Sequence, residues 1–167
     1  MNDGKLHFET LKSSRKHLAT GDLFTLSIKS RGNFFGRVII PSMPRDHPLT
    51  DAACLIYIYA FESPSATIDH LTIDTRPLLM PPLFTNRRPW TMGYFQTLTN
   101  IPLGERDILK QHCFWDLPFG KYIDEMRRPI EGKVIPCGTF GVASYSAISS
   151  EVGRALGLST LEGAEDY

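Results

Sequence analysis

Two alternating apolar runs joined by a short polar turn constrain this chain more than any other feature. They are Gly21-Asp22-Leu23-Phe24-Thr25-Leu26-Ser27-Ile28 and Gly32-Asn33-Phe34-Phe35-Gly36-Arg37-Val38-Ile39-Ile40. Phe24, Leu26 and Ile28 fall at every second position with Thr25 and Ser27 between them, the period of a strand with one buried face. Between the runs, Lys29-Ser30-Arg31-Gly32-Asn33 offers a Gly and an Asn, residue types that accept the positive φ of a tight connection. The pattern predicts an antiparallel hairpin over residues 21–40. Gly36 stands in the return strand between Phe35 and Arg37, where a missing side chain lets a neighbouring strand or an aromatic ring come close. Arg37, on the same strand, is expected to pair with a carboxylate or reach a backbone carbonyl.

Beyond the hairpin, Pro41, Pro44 and Pro48 prevent both helix and central strand and mark a surface loop. Ala53-Cys54-Leu55-Ile56-Tyr57-Ile58-Tyr59-Ala60-Phe61 is apolar at successive positions, which predicts a central strand covered on both faces. Leu71, Ile73 and Leu79 suggest further extended pieces, but Pro77, Pro81 and Pro82 forbid an uninterrupted ladder there. Trp90 to Leu98 alternates again and reads as a strand. Pro102 to Leu109 allows a single helical turn, and residues 112–116 and 120–124 read as two short strands joined by Leu117-Pro118-Phe119. Ser149, Glu151 and Gly157 supply a cap, a first-turn acid and a terminator for a short C-terminal helix. The expected fold class is α+β: a mostly antiparallel, strongly curved sheet or partial barrel with a short C-terminal helix. Residues 1–18 form an N-terminal arm or extra element, 19–158 a single domain and 159–167 an acidic tail.

The order "GDLFTL … GNFFGRVII", followed by the aromatic strand at Ala53 to Phe61 and by Arg88-Pro89-Trp90, resembles the immunity protein 26 family. The resemblance runs from about Lys16 to about Leu158, is carried most specifically by the first hairpin, and is interrupted by the prolines between Arg76 and Phe84. It implies a protein that protects a bacterium against a toxin made by its own kind. The implied partner is the C-terminal toxic domain of a polymorphic or contact-dependent toxin. Gly21, Asp22, Gly36 and Arg37 are the family-like structural positions. The same Gly-Asp and Gly-Arg hairpin also occurs at the entrance of small RNA-binding barrels, so an RNA-binding or RNA-cleaving protein stands as the alternative.

Bulk properties bear on that choice. With 18 basic and 18 acidic residues the chain has no formal net charge, which argues against a dedicated binder of phosphate backbones, with its basic excess, and equally against the strongly acidic inhibitor expected for a very basic nuclease toxin. Cys54, Cys113 and Cys137 are odd in number and contain no Cys-x-x-Cys, which offers neither a zinc pattern nor a disulfide framework and fits a reducing cytoplasm. No leader-like run follows Met1, and no segment reaches the roughly 20 apolar residues of a membrane span.

Catalytic motifs are missing from the sequence. His47 follows Asp46 and His70 follows Asp69, but strand neighbours point to opposite faces, so both read as loop histidines beside solvated carboxylates. His7, His17 and His112 stand alone, and no His-x-His or His-Glu-x-x-His is present. The serines at 144, 146, 149 and 150 lack the flanking glycines of a nucleophile elbow. The expectation is a protein without catalysis, cofactor or metal. Recognition then falls to Arg and Trp, the residue types that most often dominate interface energy. The candidates are Arg87, Arg88 and Trp90, together with Trp115, Asp116, Arg127 and Arg128. Packing of Trp90 into the core is the competing reading.

Overall fold

The computed structural model describes residues 6–49, 53–69, 72–73 and 76–158. The expectations at His70, Leu71 and the acidic tail lie outside the described residues. Nine strands form two sheets: β1 (Asp22–Ser27), β2 (Asn33–Ile40), β3 (Cys54–Ser63), β4 (Leu83–Thr85), β5 (Phe95–Asn100), β6 (Cys113–Asp116), β7 (Lys121–Ile123), β8 (Cys137–Thr139) and β9 (Val142–Ala143). The larger sheet runs β5-β1-β2-β3-β4-β9 and the smaller β7-β6-β8. All pairings are antiparallel except β4 with β9 and β6 with β8. The helices α1 (Arg88–Thr91) and α2 (Tyr145–Ala155) and a 3-10 turn at Glu105–Asp107 accompany the strands.

The hairpin forms as its period dictates, with Phe24 opposite Gly36 and Leu26 opposite Phe34. Strand periodicity then sorts side chains between two cores. Phe24, Leu26, Ile28, Phe34, Val38, Ile56 and Ile58 face one side, where Phe8 of the N-terminal arm, Trp90 of α1 and Ile148 and Val152 of α2 cover them. Leu23, Phe35, Ile39, Leu55, Tyr57 and Tyr59 face the other, packed against Phe114 and Ile123 of the small sheet. The central strand β3 is therefore covered on both faces from Cys54 to Tyr59, while from Ala60 onward it is open to solvent, short of the cover expected as far as Phe61.

That burial corrects one part of the expected architecture. The large sheet is open and not strongly curled, with β5 and β9 at its ends, so it is not a barrel. A second layer on each face does the work that closure would have done.

Two element boundaries also differ from expectation. The alternation from Trp90 to Leu98 is strand only from Phe95, its start being the end of a short helix and a turn: Pro89 fits the first turn, the Asn86 side chain accepts from Arg88 N–H at 2.9 Å, and Gly93 turns the chain at φ +81 before β5 begins. The C-terminal helix starts earlier, at Tyr145, because Ser144 caps it by accepting from Ala147 N–H at 3.1 Å. Gly157 ends it at φ +67 as expected. The prolines do restrict pairing: between Pro77 and Pro82 only an isolated bridge joins Leu78 to Tyr59.

Candidate functional site

The four family-like positions lie around the first hairpin, on both faces of the sheet. Gly21 adopts φ +86, and a Cβ there would stand 2.3 Å from the Ile101 carbonyl oxygen. Asp22 accepts from Ala19 N–H at 2.9 Å and from the Asn100 amide at 2.8 Å. Arg37 is fully buried, donates to the carbonyls of Gly21 (3.3 Å) and Ile101 (2.5 Å), and stands 3.7 Å from the Asp107 carboxylate. These contacts join the starts and ends of β1, β2 and β5. They are interior and offer no surface to a partner.

The candidates for recognition divide. Trp90 is 2% exposed, with its ring 5.1 Å from those of Phe24 and Phe95, so it is a core residue that a partner cannot reach. Arg87 donates to the carbonyls of Arg15 and Lys16, gripping the N-terminal arm, while Arg88 is exposed beside the Tyr145 ring. Trp115, Asp116 and Arg127 do come together, on the other side of the large sheet, around the β6–β7 turn. Arg127 Nε donates to the buried Asp116 carboxylate at 3.3 Å and its guanidinium lies 4.7 Å over the ring of Phe119. Trp115 packs against Tyr122 at 4.8 Å, both half-buried. Arg128 is held next door by Asp124 at 2.8 Å. With α1 on one core and β6 on the other, a single contact face does not hold both groups.

Residues absent from the sequence-derived set dominate this second surface. Leu117 is 72% and Phe119 63% exposed at the tip of the turn, with Pro118 between them. Lys121 stands 5.5 Å over the same Phe119 ring, so two cations contact it. A signal was present in the sequence: Leu-Pro-Phe is an apolar turn where polar residues normally stand. Arg127, at φ +62, is one of two non-glycine residues with positive φ among those described, and the strained turn aims it at Phe119.

Behind the hairpin lies a buried polar chain. His112 is 5% exposed, with Nε2 2.5 Å from the Tyr57 hydroxyl and Nδ1 3.0 Å from the Glu125 carboxylate. The Tyr57 oxygen also accepts from Leu109 N–H at 3.1 Å. Burial pushes the Tyr57 hydroxyl up to about 12, and the hydrogen bond from His112 holds the Glu125 carboxyl below its usual range. The assignment consistent with these partners puts a proton on Nδ1 facing Glu125 and lets the Tyr57 hydroxyl donate to Nε2. His47 joins from another side: it is 8% exposed, accepts from Leu49 N–H at 3.2 Å, and donates through Nε2 to the Glu125 carbonyl at 2.8 Å. It is thus a loop histidine, as expected, but a buried one whose two ring nitrogens are both engaged away from Asp46. The cleft beside His112 is small, about 170 Å³. The chain of bonds ties β3, the 109–112 loop and the turn after β7 together.

Among the described residues no cluster of three or more metal-ligating side chains forms, and no helix is long and apolar enough to cross a membrane. A family model described as immunity protein 26 matches residues 19–129 of the 167. The match covers β1 to β7 and stops before β8, β9 and α2, short of the resemblance read to Leu158. No curated protein and no solved structure matches the chain.

Proposed function

We propose that this chain, which belongs to the immunity protein 26 family, protects its cell by binding a cognate toxin domain, without catalysis, through the face built on the β6–β7 hairpin. The observation that carries the reading is the exposed Leu117 and Phe119 pair, braced by Arg127 and Lys121. Exposed apolar side chains rimmed by charge are the common form of a protein contact site, and an aromatic ring held rigidly loses little entropy on docking. Trp115 and Tyr122 widen the aromatic area, and Arg128 extends its polar rim. An interface of about 1,600 Å² centred on such anchors reaches tight binding with no reactive group. Covering the toxin's active site or holding it from its substrate then suffices, and the place of action is the cytoplasm.

The RNA-directed alternative requires Arg31, Arg37, Arg87, Arg88, Arg127 and Arg128 to converge on a basic groove. Arg31 is engaged by Glu62 at 2.6 Å, Arg127 by Asp116, Arg128 by Asp124, and Arg37 is buried. Carboxylates thus neutralise most of the charge that a phosphate backbone would need, which favours the protein partner.

The test is co-expression with the toxin domain encoded beside this protein. Growth is restored and the two proteins co-purify. In titration calorimetry Leu117→Ala with Phe119→Ala weakens binding by more than about 2 kcal/mol while the melting temperature holds. Unchanged affinity in that double variant removes the hairpin from the interface. Failure of the intact protein to protect or co-purify removes the immunity reading itself.

A further inference from the structure

Cys113 on β6 and Cys137 on β8 are Cα partners in the parallel pairing of the small sheet, and their Sγ atoms stand 2.9 Å apart. Both are free thiols. Adjacent strands are separated by about 4.8 Å, which places paired Cα atoms inside the roughly 4.4–6.8 Å window of a disulfide, so bonding requires no rearrangement of the sheet. Cys137 is half-buried and open to a small reagent, whereas Cys113 is 1% exposed and has Cys137 as its sulfur neighbour. Cys54, the third cysteine, is buried in the opposite core and does not compete.

We propose that Cys113 and Cys137 are a redox pair that a small disulfide such as oxidised glutathione converts to an intramolecular disulfide, stapling β8 to β6. Cys137 loses its proton to solvent and attacks one sulfur of the glutathione disulfide, whose S–S bond breaks and releases one glutathione thiolate, which takes up a proton. Cys113 is then deprotonated and attacks Cys137 Sγ in the mixed disulfide, expelling the second glutathione. Two protein thiols are oxidised by two electrons, and one small disulfide is reduced to two thiols. Burial and the neighbouring Cys113 push the Cys137 thiol up to about 12, so the exchange is slow at neutral pH and quickens as pH rises. The loop closed between residues 113 and 137 contains Leu117, Phe119 and Arg127, so oxidation constrains the whole β6–β7 face. The pairing does not depend on that face binding a toxin.

The experiment incubates the purified full chain at pH 8 with oxidised glutathione and, separately, with dithiothreitol, then counts thiols by maleimide tagging after denaturation and maps peptides. Oxidation removes two of the three thiols, lowers the mass by about 2 Da, yields a cross-linked peptide containing Cys113 and Cys137, and is reversed by dithiothreitol. Cys54→Ser leaves the cross-link intact and Cys137→Ser abolishes it. Three thiols remaining after oxidation, a lasting glutathione adduct on Cys137, or a bridge involving Cys54 or a second molecule overturns the proposal. The oxidised form also melts at a higher temperature than the reduced one; equal melting temperatures remove the stapling role.

Discussion

Gly36 and Arg37 are neighbours in the chain that serve opposite faces of one sheet. A Cβ on Gly36 would stand 2.3 Å from Cζ of Phe24, its cross-strand partner, and 2.5 Å from the Tyr57 carbonyl oxygen. The Phe24 ring is fully buried, stacked on Phe95 at 4.8 Å and edge-on to Trp90 at 5.1 Å, and the Tyr57 carbonyl belongs to the paired β3 backbone. Gly36→Ala is therefore expected to destabilise the fold by about 1–3 kcal/mol, read as a lower denaturation midpoint at constant m-value, and an unmoved midpoint would show that the sheet adjusts freely. Arg37 poses the converse problem, a cation with no access to water. Arg37→Met removes the cation that stands 3.7 Å from the Asp107 carboxylate, together with its bonds to the Gly21 and Ile101 carbonyls, and is expected to cost about 3–5 kcal/mol. Combined with Asp107→Leu, which also gives up the bond from Gly104 N–H, the loss should be smaller than the sum of the two single variants; strict additivity in the double-mutant cycle would disprove the coupling. The strand period already placed a close approach at Gly36 and a carbonyl or carboxylate partner at Arg37. It could not name Phe24, Ile101 or Asp107, because those depend on register and on a turn some 70 residues away. For Trp90 the sequence left a recognition anchor and a core ring both open, and the ring turns inward against Phe24 and Phe95.

Element by element, turns and prolines made boundaries legible where they act locally, as at the first hairpin and at Gly157. The strand pattern from Trp90 to Leu98 misled because Met92, Tyr94 and Gln96 satisfy both a turn of helix followed by a bend and an extended run. The polar chain behind the small sheet left no signal at all, since Tyr57, His112 and Glu125 are brought together by tertiary packing alone. Its energetics are testable through pH. Glu125 is a carboxyl whose folded-state pKa is depressed, chiefly by the hydrogen bond from His112 and further by the charge of Arg128, so its contribution is present above its unfolded pKa and disappears as pH falls through the folded value. The loss therefore falls in the acid range below the ordinary carboxyl value of 4.5. Glu125→Gln should lower stability at pH 7 and flatten the acid limb of the stability curve relative to the parent protein. Parallel acid limbs would mean that Glu125 is not linked to folding.

At the scale of the whole molecule, the two-sided apolar pattern of β3 required cover on both faces but was silent on whether a sheet curls to provide it or other layers do. Here the cover comes from sequence-distant pieces, and the N-terminal arm is one of them, although the family match begins only at residue 19. Phe8 is 1% and Leu6 6% exposed; Phe8 bridges to Ile28 and its ring lies 5.7 Å from Phe95. His7 N–H donates to Ser149 of α2 at 2.8 Å, Leu11 N–H to the Gly93 carbonyl at 2.7 Å and Ser14 N–H to the Trp90 carbonyl at 2.9 Å. The arm thus fastens α1, α2 and β1 over one core, while the β6–β7 hairpin lies over the other. Full burial of a Phe or Leu side chain contributes about 1.5–3 kcal/mol, so losing Leu6 and Phe8 together removes about 3–6 kcal/mol from a domain whose whole stability is about 5–15 kcal/mol. Deleting residues 1–18 should therefore lower the melting temperature sharply and uncover the apolar face of Phe24, Ile28 and Phe95, detectable as dye binding. Toxin affinity per folded molecule should stay near that of the full chain, because the arm and the hairpin are on opposite sides of the sheet. A truncated protein that melts like the parent would make the arm a passive appendage. One that folds normally but loses the toxin would move the binding surface to the arm and the exposed Arg88 beside α1.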